Sequence, residues 1–513
     1  MVSKVKSLGL IGLEAFLIEV ESSLERALPS FDIVGLPDTS IKESRNRVRA
    51  AIKNCNFDFP ISKITINLAP ANIKKEGSIY DLPILISILK VSNQITKDIS
   101  KSAFLGELSL SGDIKPIRGI LPMALKAHEF GIEHLYIPFE NAFEAQIVKN
   151  VKIYPIKHIN DVIKHINGKY EIEHFEIKFN EKEKKLNNLK LIDFSQVKGQ
   201  FEAKRALEIA AAGGHNIILI GSPGSGKSML AKRFPTILPN MSEKESIETT
   251  KIYSIAGKLK KNISLIKDRP FRSPHHTISQ AGLVGGGTFP KPGEITLAHN
   301  GVLFLDELPE FSRSTLDVLR QPLEDGSITI SRINETISYP CSVLFVAAMN
   351  PCPCGYYGHP SINCTCSKKL INKYLNRVSG PLLDRIDLHV EVNPVSFKDL
   401  TSDNNEEKSS DIKKRVIDAR NIQLERYKNI SINCNAKLSA PYIEKYCIIS
   451  KNAKNLLEKA FSSLGLSGRA YDKILKISRT IADLSASEEI KSSHVAEAIQ
   501  YRNLDRKYWN KFN

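Results

Sequence analysis

The sequence contains no long hydrophobic run. None of its apolar stretches approaches the roughly 20 residues that a membrane-spanning helix needs. Eight cysteines in 513 residues do not suggest a disulfide scaffold. The apolar start of the chain resembles a secretory signal only faintly, because Glu14 interrupts it and no small-residue cleavage site follows. We therefore expect a cytosolic (cytoplasmic) protein without a membrane partner.

Acidic residues are fewer than basic ones. With 72 Lys and Arg against 56 Asp and Glu, the formal net charge is +16, which is compatible with a polyanionic partner such as nucleic acid. The alternative is a composition bias toward Lys, Asn and Ile that says nothing about partners. A hydrophobic fraction of 42% and a charged fraction of 25% exclude a collagenous, coiled-coil or mainly disordered chain.

The length predicts about three domains at roughly 100–200 residues each, and the hydropathy pattern places their boundaries. Residues 1–170 and 191–395 alternate strand and helix patterns, whereas 411–513 have helical spacing throughout. Two polar segments, 171–190 and 396–410, lack apolar periodicity and are interpreted as linkers. We therefore expect an α/β protein that ends in a helical domain.

A phosphate-binding loop is predicted at residues 221–228, which match the pattern G-x-x-x-x-G-K-[ST]. A buried strand at 216–220 precedes the loop and a helix at 229–234 follows it. The loop residues are Gly221, Ser222, Pro223, Gly224, Ser225, Gly226, Lys227 and Ser228. Backbone N–H groups and the positive end of the helix dipole favour phosphate oxygens there. We expect Lys227 to reach the β- and γ-phosphates of ATP and Ser228 to ligate Mg²⁺.

Two further strands predict the hydrolytic groups. Residues 301–307 (GVLFLDE) form an apolar strand that ends in two carboxylates. We expect Asp306 to hold Mg²⁺ through water and Glu307 to polarise the water that attacks the γ-phosphate. Asn350 follows the apolar strand 342–349, where its amide could orient the same water. A solvated acidic pair at a strand end is the alternative interpretation of the two carboxylates.

Two long segments carry a family resemblance. They are 271–311 (FRSPHHTISQAGLVGGGTFPKPGEITLAHNGVLFLDELPEF) and 374–392 (YLNRVSGPLLDRIDLHVEV). They look like the Mg-chelatase-like AAA+ ATPases of the ComM/YifB family, and the similarity covers essentially the whole chain. The resemblance implies an AAA+ P-loop core and a C-terminal α-helical lid. By it, Asn350 is the sensor 1 residue, Arg385 the arginine finger that enters the neighbouring subunit's site, and Arg469 the sensor 2 residue. A surface salt bridge is the alternative for each arginine.

The same resemblance implies an activity. The chain would form a ring, expected to be a hexamer, that hydrolyses ATP with Mg²⁺ as a DNA helicase promoting branch migration in homologous recombination and natural transformation. Hairpins inserted in related rings project toward the pore. The segment 325–339 alternates like such a hairpin, which makes Arg332 a candidate DNA contact. A hairpin packed only on its own domain fits equally well. The alternative function is a Mg-chelatase-like ATPase that remodels a protein or inserts metal.

The N-terminal domain resembles the Lon-type proteolytic domain, an α/β fold of the ribosomal S5 domain 2-like kind. The residues that carry this resemblance are 75–83 (KEGSIYDLP) and 106–119. A Lon protease needs a serine nucleophile activated by a lysine. Ile79 stands where the nucleophile belongs and Leu121 where the lysine belongs. We therefore expect a Lon-like scaffold without peptidase chemistry, and a Lon-type protease is a further alternative function.

A helix rich in basic residues is predicted at 41–54 of this domain. The basic residues are Lys42, Arg45, Arg47, Arg49 and Lys53. Basic residues can line a groove for nucleic-acid phosphates. Such a run is more often a solvated helix face.

Four of the eight cysteines lie within residues 351–367. Cys352, Cys354, Cys364 and Cys366 form the pattern C-x-C…C-x-C on a loop that is rich in Gly and Pro. Four thiolates at such spacing predict a tetrahedral structural Zn²⁺ site. A redox-active or unoccupied cluster is the alternative, and His359 could replace one ligand. The remaining candidates, His275, His276 and His299, lack partners at metal-binding spacing, so we expect them to make loop or core hydrogen bonds.

Overall fold

In the computed structural model of this chain, the described residues are 2–175, 192–287, 291–331, 336–395, 406–464, 466–502, 504 and 508–509. Most of each predicted linker and Arg332 lie outside these ranges. The contacts divide the chain into two compact units, which are Met1–Lys184 with Ser246–Ile266, and Lys185–Glu245 with Lys267–Asn513. No helix in the described ranges is both long and apolar enough to cross a membrane.

The first unit is built on a seven-stranded mixed sheet. The strands of this unit are β1 (Val2–Ile11), β2 (Glu14–Glu25), β3 (Ser30–Val34), β4 (Lys63–Ala69), β5 (Ser102–Phe104), β6 (Glu107–Leu108), β7 (Ile114–Lys115), β8 (His134–Pro138) and β9 (Lys152–Ile156), of which all but β6 and β7 belong to the seven-stranded sheet. The sheet order is β3-β4-β2-β1-β5-β8-β9. The pairs β1–β2 and β2–β4 are antiparallel, and the other pairs are parallel.

The helices of the first unit confirm the hydropathy pattern there. They are α1 (Thr39–Asn54), α2 (Asp81–Val91), α3 (Ile120–Ala127), α4 (Ala142–Ala145) and α5 (Ile159–Ile166). The helix α2 is buried on almost all sides, as its continuous apolar sequence predicts, and β4 alternates between buried and half-buried residues. The strands β6 and β7 form an antiparallel pair around residues 109–113.

Contacts also assign the segment Ser246–Ile266 to the first unit. Its Ser254 donates a hydrogen bond to the buried carboxylate of Glu144, at 2.5 Å between Oγ and Oε2. The carbonyl oxygen of Ser254 accepts a bond from the N–H of Gly119. Burial raises the pKa of Glu144 more than the hydrogen bonds from Ser254 and from the side-chain amide of Asn141 lower it.

The second unit contains a fully parallel five-stranded sheet. The strands of this unit are β10 (Ile217–Gly221), β11 (Phe271–Arg272), β12 (Gly285–Gly286), β13 (Lys291–Pro292), β14 (Val302–Leu305), β15 (Ser327–Ser331), β16 (Thr336–Pro340), β17 (Leu344–Met349) and β18 (Leu388–Val392). The order of the main sheet is β11-β14-β17-β10-β18, with every pair parallel. The carboxyl ends of these strands therefore meet at one edge, where open α/β sheets bind ligands.

Helices surround this sheet and make up the C-terminal part of the chain. They are α6 (Phe201–Gly213), α7 (Lys227–Arg233), α9 (Gln280–Val284), α10 (Glu294–Leu297), α11 (Arg313–Asp317), α12 (Arg320–Asp325), α13 (Lys368–Leu375), α14 (Gly380–Leu383), α15 (Ser409–Arg426), α16 (Ala440–Tyr446), α17 (Lys451–Leu464), α18 (Gly468–Leu484) and α19 (Ser492–Gln500). The intervening helix α8 (Glu243–Ala256) lies mainly in the segment assigned to the first unit. The apolar stripe of α18, Ile474, Ile477 and Ile481, packs into one core with α6 and β10. The helical spacing after residue 411 is confirmed.

The end of the predicted second linker is not a loose loop. Glu406 forms an ion pair of 2.5 Å with Lys204 of α6, and both side chains are 7% exposed. The helix α15 begins at Ser409, whose hydroxyl accepts a hydrogen bond from the N–H of Phe194. Polar composition predicted a linker because it does not reveal that these polar groups are paired with one another.

The predicted hairpin at 325–339 is confirmed. The strands β15 and β16 pair in antiparallel register from Ser327 with Pro340 to Ser331 with Thr336. Alternate side chains of β15 are buried, so one face of the hairpin packs on its own unit. Arg332 lies outside the described residues, and its role as a DNA contact stays a prediction.

Candidate functional site

The predicted phosphate-binding loop lies at the carboxyl edge of the parallel sheet. The strand β10 ends at Gly221 and the helix α7 begins at Lys227, so two regular elements hold the loop. Gly224 and Gly226 have φ angles of +77° and +93°, a region that other residues rarely adopt. A Cβ added at either glycine would meet no atom within 4 Å. The space beside the loop is therefore open, as a cradle for phosphate oxygens requires.

Lys227 is buried at the base of this loop. Its Nζ donates to the carbonyl oxygens of Gly221 and Ser222, each at 2.8 Å, and to Oδ1 of Asn350 at 3.2 Å. Burial lowers the pKa of Lys227 to about 8, although the carboxylates of Asp306 and Glu307 act in the opposite direction. The ammonium is thus held by uncharged oxygens, and a phosphate in the cradle would supply its missing anionic partner.

Ser228 and Asp306 come together at the same edge. The hydroxyl of Ser228 donates to Oδ2 of Asp306 at 2.6 Å, although 78 residues separate them, because β14 and β10 both flank β17 in the sheet. Hydroxyl and carboxylate oxygens are the hard ligands that Mg²⁺ prefers. The pair therefore fits the magnesium site that the sequence predicts.

Glu307 occupies an unusual backbone conformation directly after β14. Its φ is +52°, which is uncommon for a residue other than glycine and recurs at functional sites. The side chain is 60% exposed, and its Oε2 lies 3.5 Å from Nδ1 of His276. The N–H of Glu307 donates to Oδ1 of Asp306 at 3.0 Å. A carboxylate with this exposure is accessible to a water molecule and to a substrate.

Sequence reasoning missed the contact between His276 and Glu307. It expected hydrogen bonds within loops or the core, which describes His275, bonded to Thr277 at 2.9 Å, and His299, which accepts from the N–H of Ser342 at 3.1 Å. His276 instead faces the carboxylate after β14. The parallel pairing of β11 with β14 brings together the segments that follow these two strands. Because β11 is only two residues long, no apolar run in the sequence reveals this pairing.

Asn350 follows β17, the strand between β14 and β10. Its side-chain oxygen accepts the hydrogen bond from Lys227 at 3.2 Å. The structure thus brings Asn350 together with Lys227, Ser228 and Asp306 at one edge.

Arg385 lies in the short connection between α14 and β18, and its side chain is 20% exposed. Its guanidinium forms an ion pair with Glu324 of the same chain and donates to the carbonyl oxygen of Pro381 at 2.7 Å. Among the described residues, its Nε has no hydrogen-bond partner. The structure therefore places Arg385 on Glu324, and the role in a neighbouring subunit stays a prediction.

Arg469 stands near the start of α18 and is 71% exposed. Its Nη1 lies 3.6 Å from Oδ2 of Asp384, the residue before Arg385. The structure therefore brings Arg469 to the connection that carries Arg385. The assignment of Arg469 as sensor 2 stays a prediction.

The four cysteines of the predicted zinc site come together. All four sulfur atoms lie within 4.8 Å of one another, and the separations are 3.3 Å for Cys352–Cys354, 3.7 Å for Cys352–Cys364 and 3.5 Å for Cys354–Cys364. A tetrahedron of Zn–S bonds of about 2.3 Å has edges of about 3.8 Å, so the donor set fits zinc. Burial opposes ionisation of Cys354, but the N–H of Tyr356 and the thiol of Cys352 lower its pKa to about 6.

The cysteine loop contacts the phosphate-binding loop. A Cβ added at Gly355 would lie 2.4 Å from Cδ of Pro223, and the φ of Gly355 is +85°. Only glycine allows this close approach without a shift of one of the loops. The fold of the cysteine loop is therefore tied to the position of the loop that holds Lys227.

In the first unit, the two positions where a Lon-type nucleophile and lysine would stand are apolar. Leu121 is fully buried in α3, and Ile79 packs against the apolar core. Of the basic residues in α1, Arg47 turns inward and binds the buried Asp81 at 2.6 Å between Nε and Oδ2. The other four, Lys42, Arg45, Arg49 and Lys53, are exposed.

Three family models match the chain. "Magnesium chelatase, subunit ChlI" matches residues 193–400, "Subunit ChlI of Mg-chelatase" matches 20–141, and "Magnesium chelatase, subunit ChlI C-terminal" matches 406–502. Together they span both units.

Known proteins resemble the chain along almost its full length. The competence protein ComM of Haemophilus influenzae is 44% identical over 499 residues, which are 97% of this chain and 96% of that protein. The uncharacterised protein YifB of Escherichia coli is 42% identical over 501 residues, 97% of this chain and 96% of that protein. Lon protease 2 of Bacillus subtilis is 28% identical over 145 residues, only 26% of each chain.

Proposed function

The chain belongs to the ComM/YifB family of Mg-chelatase-like AAA+ ATPases, and on that premise we propose that it is a ring-forming motor that hydrolyses ATP to move DNA. The hydrolytic half of the proposal rests on one observation. The ends of the three strands β10, β14 and β17 bring Lys227 into contact with Asn350, and Ser228 into contact with Asp306, beside an open phosphate cradle. The proposed assembly is a hexamer.

Each residue of the site has a role that follows from its position. Lys227 neutralises the β- and γ-phosphate oxygens, because its ammonium is buried and has no anionic hydrogen-bond partner among the described residues. Ser228 and Asp306 would hold Mg²⁺, which would supply further positive charge at the phosphates. The carboxylate of Glu307 accepts the proton of the water that attacks the γ-phosphorus, and the amide of Asn350 orients that water.

The proposal adds one group from outside the subunit. Arg385 of a neighbouring subunit would place its guanidinium at the γ-phosphate, where charge develops as the terminal bond breaks. Arg469 of the helical lid would complete the site as sensor 2. Both assignments are supported by the match of the surrounding motifs to the family.

The DNA half of the proposal is supported by charge and by the relatives. The formal net charge is +16, and the exposed face of α1 presents Lys42, Arg45, Arg49 and Lys53. Phosphate contacts need basic side chains but no base-reading motif. The match to a protein named for competence supports DNA strand exchange during natural transformation, with branch migration as the proposed movement and Arg332 as the proposed pore contact.

The proposal is tested by ATP hydrolysis with and without DNA. We expect branched and single-stranded DNA to stimulate the assembled ring, and binding to weaken strongly between about 50 and 200 mM salt, because phosphate contacts release counterions. A labelled four-way junction should be driven apart only with ATP. Glu307→Gln, which should bind ATP without turnover, controls for hydrolysis, and heparin controls for a general response to polyanions.

A matched pair of variants tests the basic face. Replacing Lys42, Arg45 and Arg49 with alanine should weaken junction binding and reduce the salt dependence. Replacing the exposed Lys152, Lys164 and Lys169 of the same unit should have little effect. A ring that hydrolyses ATP but neither binds DNA at low salt nor responds to it would contradict the motor and favour a chelatase-like remodelling ATPase.

A further inference from the structure

Side chains from other elements donate hydrogen bonds to most of the backbone carbonyls in the connection that carries Arg385. The carbonyl oxygen of Arg385 accepts a hydrogen bond from the side-chain amide of Asn216 at 2.9 Å. Asn216 stands directly before β10, and its own side-chain oxygen accepts the N–H of Phe345 at the start of β17 at 3.0 Å. The backbone of Arg385 is thus fixed to the strands that lead to the nucleotide site.

One lysine of the lid binds both neighbouring carbonyls, and the carbonyl oxygen of Ile386 also accepts a hydrogen bond from Nη1 of Arg502 at 2.9 Å. Nζ of Lys473, in α18, donates to the carbonyl oxygen of Asp384 and to that of Ile386 at 3.0 Å. The same Nζ lies 3.5 Å from Oδ1 of Asp387. Lys473 therefore spans the four-residue connection from its first residue to its last. Its side chain is only 13% exposed, so water competes little for these contacts.

A buried histidine joins the same cluster to the sheet. Nδ1 of His215 lies 3.1 Å from Oδ2 of Asp387, and Nε2 lies 2.8 Å from Oγ1 of Thr480 in α18. His215 has no exposed surface. Burial raises the pKa of Asp387, but Lys473 and His215 together lower it well below its usual range. The carboxylate therefore stays negatively charged between these two side chains.

These contacts form one stripe along α18. Arg469, Lys473 and Thr480 lie on one face of the helix, one turn and then two turns apart, and the first of them pairs with Asp384 at 3.6 Å. The helix that carries the proposed sensor 2 residue is therefore bound, over more than two turns, to the connection that carries the proposed arginine finger.

We propose that Lys473 is a positioning residue that sets the location of Arg385 from the position of the helical lid, so that movement of the lid in one subunit changes the charge delivered to the next subunit's ATP. This inference rests on the proposed function, specifically on Arg385 acting in a neighbouring site. A lid that shifts by a fraction of a turn would pull the carbonyls of Asp384 and Ile386 with it, because Lys473 holds both. Hydrolysis at adjacent sites would then be coupled through a single buried ammonium.

Mixing of variant subunits tests the direction of this effect. Lys473→Met removes the ammonium and keeps an unbranched apolar side chain, and Lys459→Met, on the exposed face of α17, is the matched control. We expect Lys473→Met to bind ATP as the unaltered chain does and to hydrolyse it roughly ten- to hundred-fold more slowly, since a small misplacement of a catalytic group costs that much. Lys459→Met should behave as the unaltered chain.

The partner that restores activity identifies the defect. If Lys473 positions Arg385, Lys473→Met has an intact pocket and a misplaced finger. Lys227→Ala subunits, which have no working pocket but an intact finger, should then restore hydrolysis in mixed rings, and Arg385→Ala subunits should not. Rescue by Arg385→Ala instead, rescue by neither, or full activity of Lys473→Met alone would overturn the proposal.

Two further measurements separate this inference from its premise. Arg385→Ala mixed with Lys227→Ala must itself recover activity; if it does not while the subunits co-assemble, the proposed function fails at Arg385 and this inference fails with it. If Lys473→Met does not assemble, Lys473→Gln, which keeps an amide donor for the two carbonyls, takes its place. Lys473→Gln subunits should then be restored by Lys227→Ala subunits and not by Arg385→Ala subunits, and the opposite pattern would contradict the positioning role.

Discussion

Arg385 forms an ion pair with Glu324 of its own chain. Glu324 lies in α12, directly before the hairpin strands β15 and β16, and its side chain is 60% exposed. The guanidinium cannot bind Glu324 and a neighbouring subunit's phosphate through the same donors. If Arg385 acts in a neighbouring subunit as proposed, the ion pair with Glu324 is a resting contact that assembly would have to break.

Glu324→Gln should raise the ATPase rate of the assembled ring by up to about five-fold, because an exposed ion pair contributes about 0–1 kcal/mol. The rate is measured at protein concentrations where the ring is complete. Glu310→Gln removes another exposed carboxylate that pairs with an arginine, Arg377, and serves as the control. The double variant Glu324→Gln with Arg385→Ala should lose the gain; a gain that persists would show that Glu324 acts through another residue.

The cysteine loop should hold one zinc ion per chain in protein that is purified without chelators. Cys352→Ser combined with Cys366→Ser should release the metal and lower the melting temperature, because two of four thiolates cannot complete a tetrahedral site. Metal analysis and thermal melting are the measurements. The double replacement of Cys434 and Cys447 by serine controls for the loss of buried thiols elsewhere. A metal-free protein, or unchanged stability of the first variant, would contradict the zinc assignment.

Gly355→Ala should weaken nucleotide binding more than it weakens folding. The new Cβ would lie 2.4 Å from Pro223, so the phosphate-binding loop has to shift. Gly358→Ala is the control, because Gly358 has a similar φ of +79° against +85° and the two variants share the same backbone strain. Fluorescent ATP binding and melting temperature are compared. Equal affinities in the two variants would show that the contact with Pro223 does not matter for nucleotide binding.

Nucleotide binding should take up protons above neutral pH. Burial lowers the pKa of Lys227 to about 8, so the empty site loses its charge as the pH rises through that value. Phosphate oxygens stabilise the ammonium and raise the pKa again. At about pH 8.5 the uptake should approach half a proton or more per ATP, and at about pH 6.5 it should vanish, because the lysine is already charged.

Calorimetry in two buffers of different ionisation enthalpy measures that uptake. The lowered pKa of Lys227 also makes the stability of the folded protein depend on pH. Since the folded protein disfavours the charged lysine, the empty protein should gain stability as the pH rises from about 8 toward the unfolded value near 10.4. Lys227→Met should lose both the proton uptake and this gain. Uptake that is independent of pH would contradict the shifted lysine.

Local patterns predicted the parts of the site that depend on short stretches of chain. The phosphate-binding loop, the carboxylates after β14 and Asn350 after β17 each follow a strand whose apolar run is visible in the sequence. Their convergence could also be anticipated, because parallel strands bring their carboxyl ends to one edge. The contact of Ser228 with Asp306 is the direct result.

Contacts between side chains that are distant in sequence could not be predicted in this way. Lys473 is one of 72 basic residues, and nothing in its neighbourhood shows that it spans the carbonyls around Arg385. Glu324 is likewise one exposed carboxylate among many until the fold places it beside Arg385. Arg47 lay within a run that indicated a basic face, yet it binds the buried Asp81. Each case depends on which elements pack together, and hydropathy periods report only which face is buried.

The contact between His276 and Glu307 leads to the last prediction. With 3.5 Å between Nδ1 and Oε2, the imidazole limits where the carboxylate can point. Glu307 is otherwise free to rotate, because 60% of its side chain is exposed. His276→Ala should therefore lower the turnover rate roughly ten-fold with little change in ATP affinity, as expected when a base is present but poorly oriented.

A matched replacement distinguishes orientation from folding. His275→Ala alters the adjacent histidine, whose ring lies 4.1 Å from that of His276 between centroids but which bonds to Thr277 instead. It should leave turnover within about two-fold of the unaltered chain, the range of a substitution outside the catalytic contacts. His276→Gln keeps a side-chain amide that can donate to Glu307 and should recover part of the loss. If His276→Ala lowers ATP affinity instead of turnover, or if it adds to the defect of Glu307→Gln, then His276 does not act through Glu307.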